Sequence, residues 1–242
     1  MNDIERLQGL VDSSKNIVFF GGAGVSTESG IPDFRSKDGL YHQKYAYPPE
    51  QILSHDFFMT HRAEFFAFYR DRVLALDAQP NAAHRKLAEL EWAGKLKAVI
   101  TQNIDGLHQA AGSKNVIELH GSVHRNRCLK CGKRFDARFI ADSPGVPACP
   151  CGGAVKPEVV LYEESLDAPV IERAIESLAV ADLLIIGGTS LAVYPAAGLV
   201  DAFRGSHLVV INRTPLGSQQ ADLFIQGSIG EVLSKIHTIE KY

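Results

Sequence analysis

Apolar residues fall in short blocks along this chain, and the spacing changes from block to block. Ile4, Leu7, Leu10 and Val11 recur at three- and four-residue intervals and predict an amphipathic helix over 3–15. Ile17-Val18-Phe19-Phe20 follows as an unbroken apolar run, the pattern of a strand covered on both faces. Ala98-Val99-Ile100, Leu183-Leu184-Ile185-Ile186 and Leu208-Val209-Val210-Ile211 repeat it, and Val116-Ile117-Glu118-Leu119 is strand-like. Helical patterns lie between them, notably over 80–94 and 168–179. Strands alternating with helices predict a parallel sheet with helices on both faces, the α/β class.

Two segments interrupt the alternation. Residues 38–76 concentrate aromatics, among them Tyr41, Tyr45, Tyr47, Phe57, Phe58, Phe65, Phe66, Phe68 and Tyr69, and read as loop plus helices. Residues 121–157 hold all four cysteines together with Pro144, Pro147, Pro150 and Pro157. Both read as modules inserted into a Rossmann-like domain assembled from 1–37, 77–120 and 158–242. Within the second, Cys128-x-x-Cys131 and Cys149-x-Cys151 are separated by 17 residues. Two close thiolate pairs can complete a zinc tetrahedron, and a site of four cysteines leaves no open position for substrate. One structural zinc per chain is therefore expected. Gly132 and Gly152-Gly153 follow the pairs, where knuckle turns favour small residues. The alternative is four free or redox-active thiols.

Composition narrows the partners. A chain of 242 residues is long enough for one large domain with insertions, and 45% hydrophobic against 22% charged residues predicts a packed core. The net charge of −3, with no basic run, gives no footprint for nucleic acid. No apolar stretch reaches the roughly 20 residues of a membrane span. The start, Met1-Asn2-Asp3-Ile4-Glu5-Arg6, is polar and unlike a signal peptide, so a cytoplasmic location is expected. Cysteines there point to metal before disulfides.

Chemistry gathers where the apolar runs stop. The first runs into Gly21-Gly22-Ala23-Gly24, the second into Thr101-Gln102-Asn103-Ile104-Asp105, the third into Gly187-Gly188-Thr189-Ser190 and the fourth into Asn212-Arg213. Open parallel sheets bind ligands beyond the carboxyl ends of their strands. Gly22, Ala23 and Gly24 would let a diphosphate approach backbone N–H groups. They fit a dinucleotide fingerprint only in part, because Thr27 stands where its third glycine belongs. No second strand ending in a carboxylate follows about 20 residues later, as a dehydrogenase needs. Each end is also compatible with plain turn chemistry. The tail Pro32-Asp33-Phe34-Arg35 has no use in an ordinary dinucleotide fold. Among the histidines, His120 sits at the junction of sheet and cysteine module and suits a general base near neutral pH. His108 is its competitor, and spacing alone leaves a structural role open for both.

Taken together these segments resemble the sirtuins, the NAD-dependent protein lysine deacylases, and most nearly their compact bacterial members. The resemblance rests on Gly22-Ala23-Gly24-Val25-Ser26, Gly30-Ile31-Pro32-Asp33-Phe34-Arg35, Thr101-Gln102-Asn103-Ile104-Asp105, Leu119-His120-Gly121, the cysteine pairs, Gly188-Thr189-Ser190, Tyr194-Pro195-Ala196-Ala197 and Asn212, in family order over nearly the whole chain. It implies that NAD lies across the strand ends as co-substrate. Gly22, Ala23, Gly24, Gly188, Thr189, Ser190, Asn212 and Ile229 would surround its adenosine and diphosphate. Gln102 and His120 would approach the nicotinamide ribose, Asp105 and the Ile104 backbone the carboxamide, and Asn103 a ribose hydroxyl and a water. Phe34 would cover the reacting face, with Arg35 and Thr27 supporting the cofactor loop. His120, Asn103 and Asp105 are the expected catalytic set. Acetyl would pass from lysine to ADP-ribose with release of nicotinamide.

The resemblance further implies that acetylated-lysine proteins or peptides bind as an added strand along Val160, Leu161 and Tyr162, the Val160 carbonyl accepting from the acyl-lysine N–H. Tyr162-Glu163-Glu164 stands where many members have phenylalanine-glycine-glutamate. The acidic pair reads either as a preference for basic flanking residues or as a solvated face. Tyr69 and Arg72 match a Y-x-x-R pattern that desuccinylating relatives use for the acyl carboxylate, whereas Leu53 stands where those relatives have a small alanine. Deacetylation is the expected reaction. Desuccinylation, mono-ADP-ribosyl transfer from the same pocket, and a catalytically silent NAD-sensing or zinc-dependent binding module are the competing readings.

Overall fold

A computed structural model describes residues 1–33, 46–216 and 221–238. Helix α1 (Asp3–Ser13) starts at a capping box in which Asn2 and Glu5 bond each other's backbone N–H groups. It ends two residues short of the sequence expectation. The Ser13 and Ser14 hydroxyls both bond the Leu10 carbonyl, and Ser14 is already extended.

Strand β1 (Ile17–Gly21) lies at the centre of a six-stranded parallel sheet. On one side follow β2 (Leu96–Thr101) and β3 (Val116–Glu118). The antiparallel strands β4 (Gly121–Cys128), β5 (Arg134–Phe135) and β6 (Val155–Val159) form a separate small sheet. On the other side of β1 stand β7 (Leu183–Gly187), β8 (His207–Asn212) and β9 (Leu223–Gln226). The strand order therefore reverses between β1 and β7, where Gly21 is in register with Gly187. A doubly wound sheet opens its ligand crevice at such a switch point.

Alternation along the strands divides the core. Ile17 and Phe19 pack on one face with Val99, Ile185 and Leu7 of α1, and with Leu87 and Leu90 of a helix at 82–92. Val18 and Phe20 pack on the other with Ile100, Ile186 and Leu178 of a helix at 168–179, and with Leu199 and Val200 of a 3₁₀ segment at 196–202. The α/β expectation holds, and the helix at 168–179 has the predicted ends. Strand β9 was not anticipated. Only Leu223, Phe224 and Ile225 are apolar there, and a polar stretch separates them from β8.

In chain order the helices after α1 are α2 (Pro49–Ile52), α3 (His55–Thr60), α4 (Arg62–Phe68), α5 (Ala82–Trp92), α6 (Leu107–Ala110), α7 (Ala137–Asp142), α8 (Ala168–Ala179) and α9 (Ile229–Leu233). Helix α4 runs on into one π-helical turn at Tyr69–Val73. The aromatic insert and the cysteine module share one apolar cluster. Phe57, Phe58, Phe65 and Phe66 belong to it together with Val123, Ile140, Val155, Val159 and the two buried cysteines. Edge-to-face ring pairs such as Phe58–Phe65 and Phe65–Phe66 build its centre.

Candidate active site

The loops after β1 and β7 meet at the switch point and interlock. The Gly24 N–H donates to the Gly188 carbonyl at 2.8 Å. A β-carbon on Gly24 would stand 2.8 Å from the Gly188 backbone, and one on Gly188, at φ +60°, would stand 2.4 Å from the Val25 nitrogen. Loop-to-loop approach is thus the first reason for glycine at position 24, ahead of room for a diphosphate. The Gly24, Val25 and Ser26 N–H groups are all taken by backbone carbonyls, while those of Gly22 and Ala23 keep no partner among the described residues. The Thr27 hydroxyl closes the turn onto the Gly24 carbonyl at 3.0 Å.

The turn after β2 brings the polar set beside these loops. Asn103 Nδ2 donates to Ser26 Oγ at 3.0 Å, and Ser26 Oγ donates to Asp105 Oδ2 at 2.6 Å. Asp105 Oδ1 accepts from the Leu107 N–H, and the Asn103 N–H is held by the Thr101 hydroxyl. Ser26 is buried and joins two residues far along the chain. It lies within Gly22–Ser26, yet nothing local marks a bond spanning 79 positions. Gln102 Nε2 reaches Thr189 Oγ1 at 3.2 Å, tying the β2 turn to the β7 turn. Ile104 lies half-buried between Asn103 and Asp105.

His120 is placed by its own backbone and by Gln102. Its Nδ1 lies 2.9 Å from the Gln102 carbonyl oxygen. A carbonyl only accepts, so Nδ1 carries the proton and Nε2 keeps a free lone pair. Burial pushes the imidazole pKa below its ordinary 6.5, and the bond to Gln102 offsets part of that. A neutral imidazole with one fixed tautomer is the state a general base needs.

His108 is placed differently. It is 1% exposed, and neither ring nitrogen has a hydrogen-bond partner. It packs against the rings of Phe19 and the equally buried His84. Burial, with His84 second, pushes its pKa down to about 3. Among the two candidates only His120 stands with the polar set.

At the far end of the crevice Asn212 Nδ2 bonds the Thr189 and Thr214 carbonyls at 3.0 and 2.9 Å. Ser190 follows Thr189 on the exposed side of that turn. Ile229 is buried, and a β-carbon on Gly187 would stand 2.6 Å from its Cδ1. Glu28, which no local sequence pattern marks, accepts from the Gly230 N–H at 2.7 Å and fastens α9 to the first loop. Phe34 and Arg35 lie outside the described residues.

The segment after β6 runs from His120 to the helical insert. The Val160 N–H donates to the His120 carbonyl at 2.9 Å, the Tyr162 N–H to Leu53 at 3.0 Å, and the His55 N–H to Tyr162 at 3.0 Å. Leu161 is buried and joins the cluster shared by the inserts. The Val160 carbonyl has no partner among the described residues. The acidic pair beyond it is tied down, which neither reading of it anticipated. Glu163 accepts from the Asp56 N–H, and Glu164 meets both Lys156 and His55. Burial alone would raise the Glu164 carboxyl, but bonds from His55, the Leu161 N–H and Lys156 outweigh it and hold the pKa below the ordinary value. Tyr69 is sealed in the aromatic cluster, stacked on Phe65 and with its hydroxyl unpartnered, whereas Arg72 pairs with Asp71 at 2.7 Å.

The four cysteine sulfurs lie within 4.8 Å of one another, with Cys128–Cys151 at 3.5 Å and Cys131–Cys149 at 3.6 Å. Zinc–sulfur bonds of about 2.3 Å in a tetrahedron require sulfurs about 3.8 Å apart. The cluster fits that ion and leaves no vacant ligand position. Gly132 and Gly152 have φ of +73° and +76°, and a β-carbon on Gly153 would meet Cys128 Sγ at 2.6 Å.

Known proteins resemble the chain over nearly its full length. The family model described as "SIR2: Sir2 family" matches residues 22–195. An "NAD-dependent protein deacetylase" of Clostridium acetobutylicum is 56% identical over 241 residues, covering 98% of each chain. The structure of a Sir2 variant with deacetylated p53 peptide and 3'-O-acetyl ADP ribose superposes with a TM-score of 0.88 at 38% identity, covering 97% of both chains. That of a "Sir2-p53 peptide-NAD+" complex superposes with a TM-score of 0.84 at 40% identity, covering 96% of both.

Proposed function

The chain belongs to the Sir2 family and is an NAD-dependent protein deacetylase that yields O-acetyl-ADP-ribose, and we propose that His120, Asn103 and Asp105 are its catalytic residues. The observation that carries this assignment is the Gln102 carbonyl fixing Nδ1–H of His120 and leaving Nε2 free to take a proton. NAD supplies an activated ribose whose nicotinamide can be displaced by the acetyl oxygen of the substrate. His120 then accepts the proton of a ribose hydroxyl at Nε2. Asp105, oriented by Ser26 and the Leu107 N–H, holds the carboxamide side together with the Ile104 backbone. Asn103, oriented by the same Ser26, orders a ribose hydroxyl and a water.

Gly22, Ala23, Gly24, Thr27, Gln102, Gly188, Thr189, Ser190, Asn212 and Ile229 complete the NAD crevice in this reading, and Phe34 and Arg35 join them from outside the described residues. Acetylated-lysine segments of proteins lie along Val160, Leu161 and Tyr162, where the unpartnered Val160 carbonyl supports the reading. The cysteines Cys128, Cys131, Cys149 and Cys151 hold a structural zinc. Residues 1–37, 77–120 and 158–242 form the NAD-binding unit into which 38–76 and 121–157 are inserted. The work is done in the cytoplasm. Four cysteines clustered as metal ligands without a disulfide support that placement. No helix among the described residues is long and apolar enough to cross a membrane.

Acetyl is the preferred acyl group. The buried, stacked Tyr69 and the Arg72–Asp71 pair support this over a carboxylate-bearing acyl chain. Mass spectrometry of reactions with NAD and matched acetyl-, succinyl- and longer-acyl peptides tests the reading. Nicotinamide release that depends on the acetylated peptide, with loss of about a hundredfold or more in rate for His120→Ala, is the expected result. Labelling of protein with ADP-ribose, or undiminished turnover by His120→Ala, would contradict it.

A further inference from the structure

Glu163 has φ +75°, and Leu191 is the only other non-glycine residue with positive φ among the described residues. A β-carbon disfavours that conformation, so surrounding contacts must hold it. The Glu163 carboxylate accepts from the Asp56 N–H, in the first turn of α3, at 3.0 Å. Its neighbour Glu164 places Oε1 2.9 Å from His55 Nδ1 and Oε2 3.0 Å from Lys156 Nζ, and accepts from the Leu161 N–H at 2.9 Å. Tyr162, the residue before Glu163, exchanges backbone bonds with Leu53 and His55. The last turn of the Val160–Tyr162 segment is therefore fastened to α3, and its first residue is fastened to His120.

We propose that Glu163 is a positioning residue for the peptide substrate: its carboxylate, anchored on the first turn of α3, sets the path of Val160–Tyr162 and so the register of an acetyl-lysine strand against the Val160 carbonyl. A glycine at this position adopts the same backbone without strain but has nothing to anchor. The side chain fixes an otherwise pliable turn and leaves the NAD crevice untouched. The proposal rests on the reading that Val160–Tyr162 receives the peptide.

Steady-state kinetics with an acetyl-lysine peptide and NAD test it, on variants whose thermal melting shows them folded. Glu163→Gly keeps the turn and loses the anchor, Glu163→Ala loses both, and Glu163→Gln keeps an acceptor oxygen. The expected result is a peptide KM raised about three- to tenfold for Glu163→Gly and Glu163→Ala. kcat and the KM for NAD should stay within about twofold of the parent, with Glu163→Gln restoring the peptide KM. A purely structural role would move kcat and the NAD KM as well, and that outcome overturns the proposal. Amide exchange of the parent chain with and without the acetyl-lysine peptide, read by mass spectrometry, separates two kinds of failure. Peptide-dependent protection over 159–164 with unchanged peptide KM for both Glu163→Gly and Glu163→Ala overturns the proposal alone. No such protection overturns the peptide reading beneath it too.

Discussion

A single bond separates two histidines that the sequence left equivalent. His120 and His108 both follow strand-like or turn segments, and both are buried enough to stay neutral near pH 7. Only His120 has a carbonyl on one ring nitrogen and a free lone pair on the other. That distinction depends on where Gln102, 18 positions away, turns its carbonyl, and no local pattern records it. It also sets a pH dependence. Burial favours the uncharged ring, so the proton binds Nε2 only below the ordinary 6.5, and protonation removes the base. kcat/KM for the acetyl peptide should therefore fall on the acid side with its midpoint below the ordinary 6.5. The check is a kcat/KM profile at constant ionic strength, and an acid limb with its midpoint above 6.5 would contradict the assignment. The Ser26 bonds to Asn103 and Asp105 were equally hidden. The motif supplied the serine, and only the fold supplied its two partners.

At the scale of elements, the apolar runs located β1, β2, β7 and β8 to within two residues, because the stretches of a strand buried on both faces must be apolar. The runs stop at polar, glycine or less-buried positions such as the exposed Lys97 of β2. β9, at the sheet edge, needs fewer apolar positions, and five-residue α9 is too short to show a period. The turns after the strands were legible as a group, but the reason for their glycines was not. Gly24 faces the Gly188 backbone, a contact set by the parallel register of Gly21 with Gly187. Position 24 does not need positive φ, so Gly24→Ala is a steric test free of backbone strain. Its β-carbon would meet backbone rather than a movable side chain, so the two loops must part. The expected cost is about 1–3 kcal/mol of stability, read by denaturant unfolding. The KM for NAD should rise while the KM for acetyl peptide holds. An unaltered NAD KM would show that the interlock does not shape the crevice.

Across the whole molecule, the two inserts were legible as interruptions of the strand–helix alternation, but their union was not. Aromatic content marked one and cysteine spacing marked the other, and neither signal says that Phe58 and Phe65 pack in the same cluster as Cys128 and Cys149. Such a cluster binds their stabilities together. The cysteine module is a small three-stranded sheet with two buried cysteines, and without its ion four thiolates would have no shared partner. Losing the module's order would strip cover from the aromatic helices α3 and α4, and would release β6, from which Val160–Tyr162 continues. The six-stranded sheet has its own core on both faces, with α1, α5, α8 and α9 as its cover. Chelation of zinc should therefore raise amide exchange across 121–159 and across 55–69 together, while β1, β2 and β7 keep their protection. Deacetylation should fail in the same preparation through loss of the peptide segment, and restoring zinc should restore both. Exchange by mass spectrometry resolves the two regions. Faster exchange confined to 121–157, with α3 and α4 still protected, would mean that the shared cluster does not couple the inserts.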